Sequence, residues 1–227
     1  MDTLMPQMKR ISSKHRALMV KPEHYPVVGK YLIQAIREHL GSRATPELME
    51  AWQAAYNAVV GVFMKLEKEM YSQLGDNENE KGFLPYTIVE EDHIASGPIV
   101  ALTLVRQDGG KLFSYRPGQY ISIRMEKDGV LHHGHYSMVE PFNGKNYTVA
   151  FKKGDNVDQN SIVSNEILSS RKVGSTVLVS PPAGTFGLVE GAKNHLFISG
   201  GIATDINQYS INERILMLMD LGNNAEI

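Results

Sequence analysis

The sequence predicts an α+β protein with about three helices, then a small antiparallel β-barrel, then one strand-turn-helix. Three observations carry this. In residues 1–74 the apolar side chains recur at spacings of three and four. Residues 75–81, GDNENEK, then break the pattern with a polar, charged, glycine-containing stretch that reads as a linker. After it the period drops to two, in short β-branched or aromatic runs separated by turn signals.

A short first helix is expected over residues 4–14, before Lys21-Pro22 imposes an extended or turn conformation. In residues 26–40, Val27, Val28, Tyr31, Leu32, Ala35, Ile36 and Leu40 share one helical face, and Gly41 supplies a stop. Thr45-Pro46 reads as a cap followed by proline at the first helical position. The long helix behind it carries Leu48, Trp52, Ala55, Val59, Val62, Leu66 and Met70 on one stripe. Strands are expected at 86–90, 99–105, 119–125, 147–151 and 176–179, with turns at Asp108-Gly109-Gly110, Arg116-Pro117-Gly118, Asp128-Gly129 and Asn143-Gly144. Short strands at this spacing suggest the barrel. A short helix is expected at 164–169. A buried-type strand at 195–199 runs into Gly200-Gly201, with a helix expected at 211–221.

Composition limits the function. Of 227 residues, 23 are Lys or Arg and 25 are Asp or Glu, a net charge of −2. Up to Asn77 there are 10 basic and 8 acidic residues, and after it 13 and 17, so neither part is a basic block. Nucleic acid and anionic membrane are therefore poor partners. Cysteine is absent, which excludes disulfides, thiolate metal sites, thiol catalysis and iron–sulfur clusters and fits a reducing compartment. No stretch reaches about 18 uninterrupted apolar residues, and the first 20 residues lack a signal-type apolar block, so a cytoplasmic location is the expectation.

The helical part offers Lys14-His15, Tyr25 and Glu67 as chemistry. A neutral imidazole can ligate haem iron, and its other N–H needs an oriented acceptor, which a carboxylate supplies. On spacing alone, however, a histidine between Lys and Arg is by default a surface residue.

The run KHRALMVKPEHYPVVGKYL at residues 14–32 resembles the proximal segment of flavohaemoglobins, the fungal ones especially. TPELMEAWQAAYNAVVGVFMKLEKEMY at 45–71 resembles their last globin helix. The resemblance implies that His15 is the proximal haem ligand. It makes Tyr25 and Glu67 the charge relay that raises its basicity, and Lys14 a residue that tunes the redox potentials. Downstream, Tyr115–Tyr120 (YRPGQY) and Pro181–Phe186 resemble segments of the ferredoxin-reductase-type FAD barrel. His135-Tyr136-Ser137 resembles most of its R-x-Y-S motif. Tyr120, Tyr136 and Ser137 are then the implied FAD contacts, Tyr136 stacking on the isoalloxazine. Residues 161–164 resemble the pyrophosphate-cradling turn, with Ser164 a contact. The arginine of the motif is here Gly134. Loss of forked charge-assisted bonds of about 1.5–3 kcal/mol implies flavin binding weaker by roughly ten- to over a hundredfold. His132, His133 and His135 are expected on a solvated strand and turn. Gly200 and Gly201 resemble part of a nicotinamide-nucleotide turn, altered at Ala203, Thr204 and Asp205.

The resemblance divides the chain into residues 1–77, the proximal part of a globin; 82–191, an FAD barrel; and 192–227, the start of an NAD(P)-binding domain. It implies haem b and FAD as cofactors, O2 and NO as small-molecule partners, and a heritage of nitric oxide dioxygenase, an oxidoreductase driven by NAD(P)H. The early globin helices and most of the nucleotide domain have no counterpart in these residues. The expectation is therefore a relative truncated at both ends, with reduced or lost turnover and no useful reduction by NAD(P)H. The alternative is a residual haem- or flavin-binding module or a non-catalytic interaction protein, associating with itself or a partner through an exposed helical face.

Overall fold

Helix α1 (Met5–Ala17) begins the chain in the computed structural model, which describes residues 3–94, 99–152 and 162–187. It runs three residues beyond the expected end, so His15 lies in its last turn. The sequence shows no glycine stop there. Instead Met19 takes a left-handed conformation (φ 61°), Val20 N–H bonds the His15 carbonyl at 2.9 Å and Met19 N–H the Arg16 carbonyl at 3.1 Å. This is a Schellman closure made without glycine, at a cost of about 1–2 kcal/mol.

Helix α2 (Tyr25–Leu40) follows a short 3-10 turn at Pro22–His24, and Gly41 ends it at φ 55°. Helix α3 (Pro46–Ser72) starts where Thr45 accepts the Leu48 N–H. The expected stripe on α3 is only partly covered: Leu66 is buried, while Leu48, Trp52 and Val59 are exposed. On α2, Val27, Val28, Tyr31 and Leu32 are exposed as well. The helices form one compact unit, Met1–Asp76, and the remainder a second, Asn77–Ile227.

The second unit is built on an antiparallel sheet of six strands, in order β4-β3-β6-β1-β2-β5. They are β1 (Leu84–Ile94), β2 (Ile99–Arg106), β3 (Tyr120–Lys127), β4 (Val130–Ser137), β5 (Tyr147–Lys152) and β6 (Thr176–Val179). The two edge strands meet through a Met138–Val149 bridge, where Val139 N–H bonds the Thr148 carbonyl, and this closes the barrel. Alternate residues of every strand fill it: Ile88, Leu102, Leu104, Ile121, Ile123, Tyr136, Tyr147, Val149, Phe151, Val177 and Val179. Helix α4 (Ile162–Ser170) adds Val163 and Ile167 to the same core. The architecture is α+β, as expected.

Strand β4 has no bounds in the expected strand order, only its histidines being expected on a strand and turn. Its sequence, VLHHGHYS, is too rich in histidine and glycine to show alternation. Asp128 (φ 53°) and Gly129 (φ 75°) form the hairpin turn that joins it to β3, as the Asp-Gly signal indicated. The expected strand at 195–199, the helix at 211–221 and the Gly200-Gly201 turn lie outside the described residues. Among the described residues no helix is long and apolar enough to cross a membrane.

Candidate functional site

Three side chains from three helices meet in the first unit. His15 comes from the last turn of α1, Tyr25 from the first residue of α2 and Glu67 from the penultimate turn of α3. His15 Nδ1 lies 2.8 Å from Glu67 Oε1 and 3.0 Å from the Tyr25 hydroxyl, and that hydroxyl donates to the same Glu67 oxygen at 2.5 Å. Glu67 is 4% exposed and Tyr25 is 7% exposed. A buried carboxylate is tolerated only with donors around it, and these two supply them. Burial first, then donation to Glu67, pushes the Tyr25 hydroxyl well above the ordinary tyrosine range, so it stays a donor.

A carboxylate accepts and does not donate, so His15 carries a proton on Nδ1, and its neutral form has the lone pair on Nε2. That is the tautomer a metal-bound imidazole requires, with its second nitrogen held by a carboxylate. The donor set therefore fits haem iron at His15. Phe63 sets its ring edge against the imidazole, with centroids 5.4 Å apart, and Tyr56 donates to the Tyr25 carbonyl at 2.6 Å. Sequence reasoning missed both. Phe63 was findable, since it stands four residues before Glu67 on α3 and so shares its face. Lys14, half-buried beside His15, holds no hydrogen bond to the triad.

The barrel residues are arranged differently. In the Tyr115–Tyr120 segment, Arg116 N–H bonds Gln119 Oε1 at 2.9 Å and Gln119 Nε2 reaches the Gly184 carbonyl at 3.2 Å. Gly118 has φ 91°, and a Cβ there would come within 2.7 Å of the Phe186 carbonyl oxygen, so only glycine fits this turn. Tyr120 pairs across the sheet with Ser137.

His135 corrects an expectation: it is 7% exposed and not solvated. The register sets it opposite Ser122, whose hydroxyl lies 2.8 Å from its Nδ1, and the Tyr120 ring packs on it at 4.8 Å. His133 is half-buried beside Phe83, centroids 5.5 Å apart. Its pKa is held below the ordinary histidine range, by burial first and then by Arg124 and His132.

Tyr136 and Ser164, two of the expected FAD contacts, bond each other, hydroxyl to hydroxyl, at 2.9 Å. The Tyr136 ring packs on Phe151 at 4.4 Å and belongs to the core. It also lies over Gly134: a Cβ at that position would stand 2.5 Å from the Tyr136 hydroxyl oxygen and 2.7 and 2.8 Å from ring carbons. As arranged, the space beside residue 134 is filled by the chain's own tyrosine.

Residues 1–63 match the globin family. A flavohemoprotein of Halalkalibacterium halodurans is 35% identical over 207 residues, which cover 89% of this chain and 50% of that protein. The flavohemoprotein of Bacillus subtilis is 34% identical over 206 residues, again 89% of this chain and 50% of the relative. Among solved structures, the flavohemoglobin of Malassezia yamatoensis, which has bound FAD and heme, superposes with a TM-score of 0.69 at 26% identity, covering 80% of this chain and 45% of that one. The chain spans about half the length of the curated relatives it matches.

Proposed function

This chain belongs with the flavohaemoglobins, and from that kinship we propose that its helical unit is the proximal side of a haem site in nitric oxide dioxygenase chemistry, with His15 the iron ligand. The observation that carries this is the closed triangle of His15 Nδ1, Tyr25 hydroxyl and Glu67 Oε1, drawn from residues up to 52 positions apart. When bound, haem would supply a redox-active iron for the oxidation of NO by O2. Within the chain, Glu67 takes the Nδ1 proton's hydrogen bond and fixes the ring orientation. Tyr25 shares the same oxygen and thereby limits how strongly Glu67 draws on that proton. Phe63 blocks rotation of the imidazole from one side. Lys14, adjacent in sequence, adds a positive charge that raises the potential of any group bound at His15.

In this reading residues 1–77 are the globin part, 82–191 the barrel of the flavin-reductase lineage and 192–227 the start of a nucleotide-binding unit. O2 and NO are the small molecules handled, and the cytoplasm, where NAD(P)H is supplied, is the setting. The test is a titration of the full purified chain with haemin. The expected result is a saturable Soret band at one haem per chain that His15→Ala removes while the far-ultraviolet dichroism stays unchanged. A His15→Ala protein that takes up haemin like the parent refutes the assignment. A second reading, an interaction module, is favoured by the exposure of Val27, Val28, Tyr31 and Leu32. It predicts concentration-dependent association in sedimentation that Tyr31→Glu abolishes.

A further inference from the structure

We propose that Tyr136 is a plug, seated over Gly134, that closes the barrel's flavin site, so that a flavin must displace it. This rests on reading the barrel as a flavin-binding one. Four observations agree. Residue 134, where the related motif has arginine, has no side chain. Gly134 and Tyr136 are two residues apart on β4 and so lie on the same face. The phenol ring occupies the space a Cβ at 134 would enter, within 2.5–2.8 Å. Its hydroxyl satisfies Ser164 Oγ at 2.9 Å, the hydroxyl expected to face pyrophosphate from α4. Tyr136 is 9% exposed and its ring packs, tilted, against Phe151, so the closed position is a packed one.

The physical logic is one of exchange. An arginine at 134 would exclude the tyrosine from this position and present charge to phosphate. Glycine does neither. It admits the ring, and the ring then uses the Ser164 hydrogen bond that a ligand would otherwise receive. Apparent affinity for flavin is therefore lowered twice, once by the missing charge and once by the fraction of molecules that are closed. Gly134 is thus a determinant of cofactor occupancy through Tyr136 as well as through what it lacks.

The experiment compares the full chain with Gly134→Ala and Tyr136→Phe. Nitration by tetranitromethane with peptide mapping reads the plug directly, and exposed Tyr31 serves as internal reference. FAD fluorescence quenching reads binding. In the parent, Tyr136 is expected to resist nitration. In Gly134→Ala the added methyl evicts the ring, and Tyr136 nitrates at a rate approaching that of Tyr31. Tyr136→Phe keeps the ring but loses the bond to Ser164, and should bind FAD about three- to tenfold tighter than the parent. Gly134→Ala should gain at least as much. Rapid nitration of Tyr136 in the parent overturns the plug. Protection of Tyr136 with equal FAD affinity in all three proteins overturns its control of the site. Nitration as expected with no FAD binding to any form refutes the flavin reading of the barrel itself, and the control of binding with it.

Discussion

Replacing Tyr25 by Phe removes one oxygen from the triad and nothing else. The ring stays buried and the helix start is unchanged. What is lost is the hydroxyl that donates to Glu67 Oε1 at 2.5 Å, leaving that carboxylate, 4% exposed, with His15 as its remaining donor in the triad. A hydrogen bond to a charged acceptor is worth about 1.5–3 kcal/mol, and a carboxylate with nowhere to turn for water forfeits most of it. The helical unit should lose that amount. Trp52 is the chain's only tryptophan and sits on α3, so its fluorescence follows this unit alone. With a urea dependence of about 1 kcal/mol per M for so small a unit, the midpoint should fall by about 1.5–3 M. The double-mutant cycle with Glu67→Gln isolates the pair: in the Gln background the Tyr25→Phe cost should drop below about 1 kcal/mol, the range of a neutral hydrogen bond. A cost under about 0.5 kcal/mol, or an equal cost in both backgrounds, would show that the Tyr25–Glu67 contact does not hold these helices together.

Glu67→Gln should weaken haemin binding by about 10- to 100-fold, the usual loss when the partner of a metal-bound histidine is removed, and a titration of the Soret band measures it. Gly29→Ala should destabilise the helical unit by about 1–3 kcal/mol in the Trp52 assay, because its methyl would run into the Tyr56 ring, whose hydroxyl holds the Tyr25 carbonyl. The barrel should weaken in acid: the folded pKa of His133 is depressed, so the neutral form's contribution is complete above about pH 6.5 and is lost as pH falls through the lower folded value. Near-ultraviolet dichroism of the barrel tyrosines on heating at pH 7.5 and 5.0 reads this, and His133→Gln should narrow the difference between the two melting temperatures.

Helix periodicity and turn chemistry made much of the fold readable in advance. Gly41, Thr45-Pro46 and Asp128-Gly129 act where their conformational preferences place them. The end of α1 was not readable because Met19 occupies a left-handed position that sequence rules reserve for glycine or asparagine. The exposed stripe of α3 shows the limit of periodicity: it says which residues share a face and not what covers it. His135 shows a related limit, since a polar residue on a sheet face is buried or solvated according to what packs on it, here the Tyr120 ring and the Ser122 hydroxyl. The triad was legible only through resemblance, for no local pattern links His15 to a carboxylate 52 residues away. The Tyr136–Ser164 bond was legible through neither. Resemblance supplied the roles of both residues but not that, with glycine at 134, each would satisfy the other.

The central claim, that His15 is an iron ligand polarised by Glu67, is tested most directly by the iron–histidine stretching band in the resonance Raman spectrum of the reduced, haemin-reconstituted chain. The band is expected to move to lower frequency in Glu67→Gln, where the neutral amide draws less on the Nδ1 proton, and to be absent in His15→Ala. A band unchanged in frequency by Glu67→Gln, or one that survives His15→Ala, would contradict it.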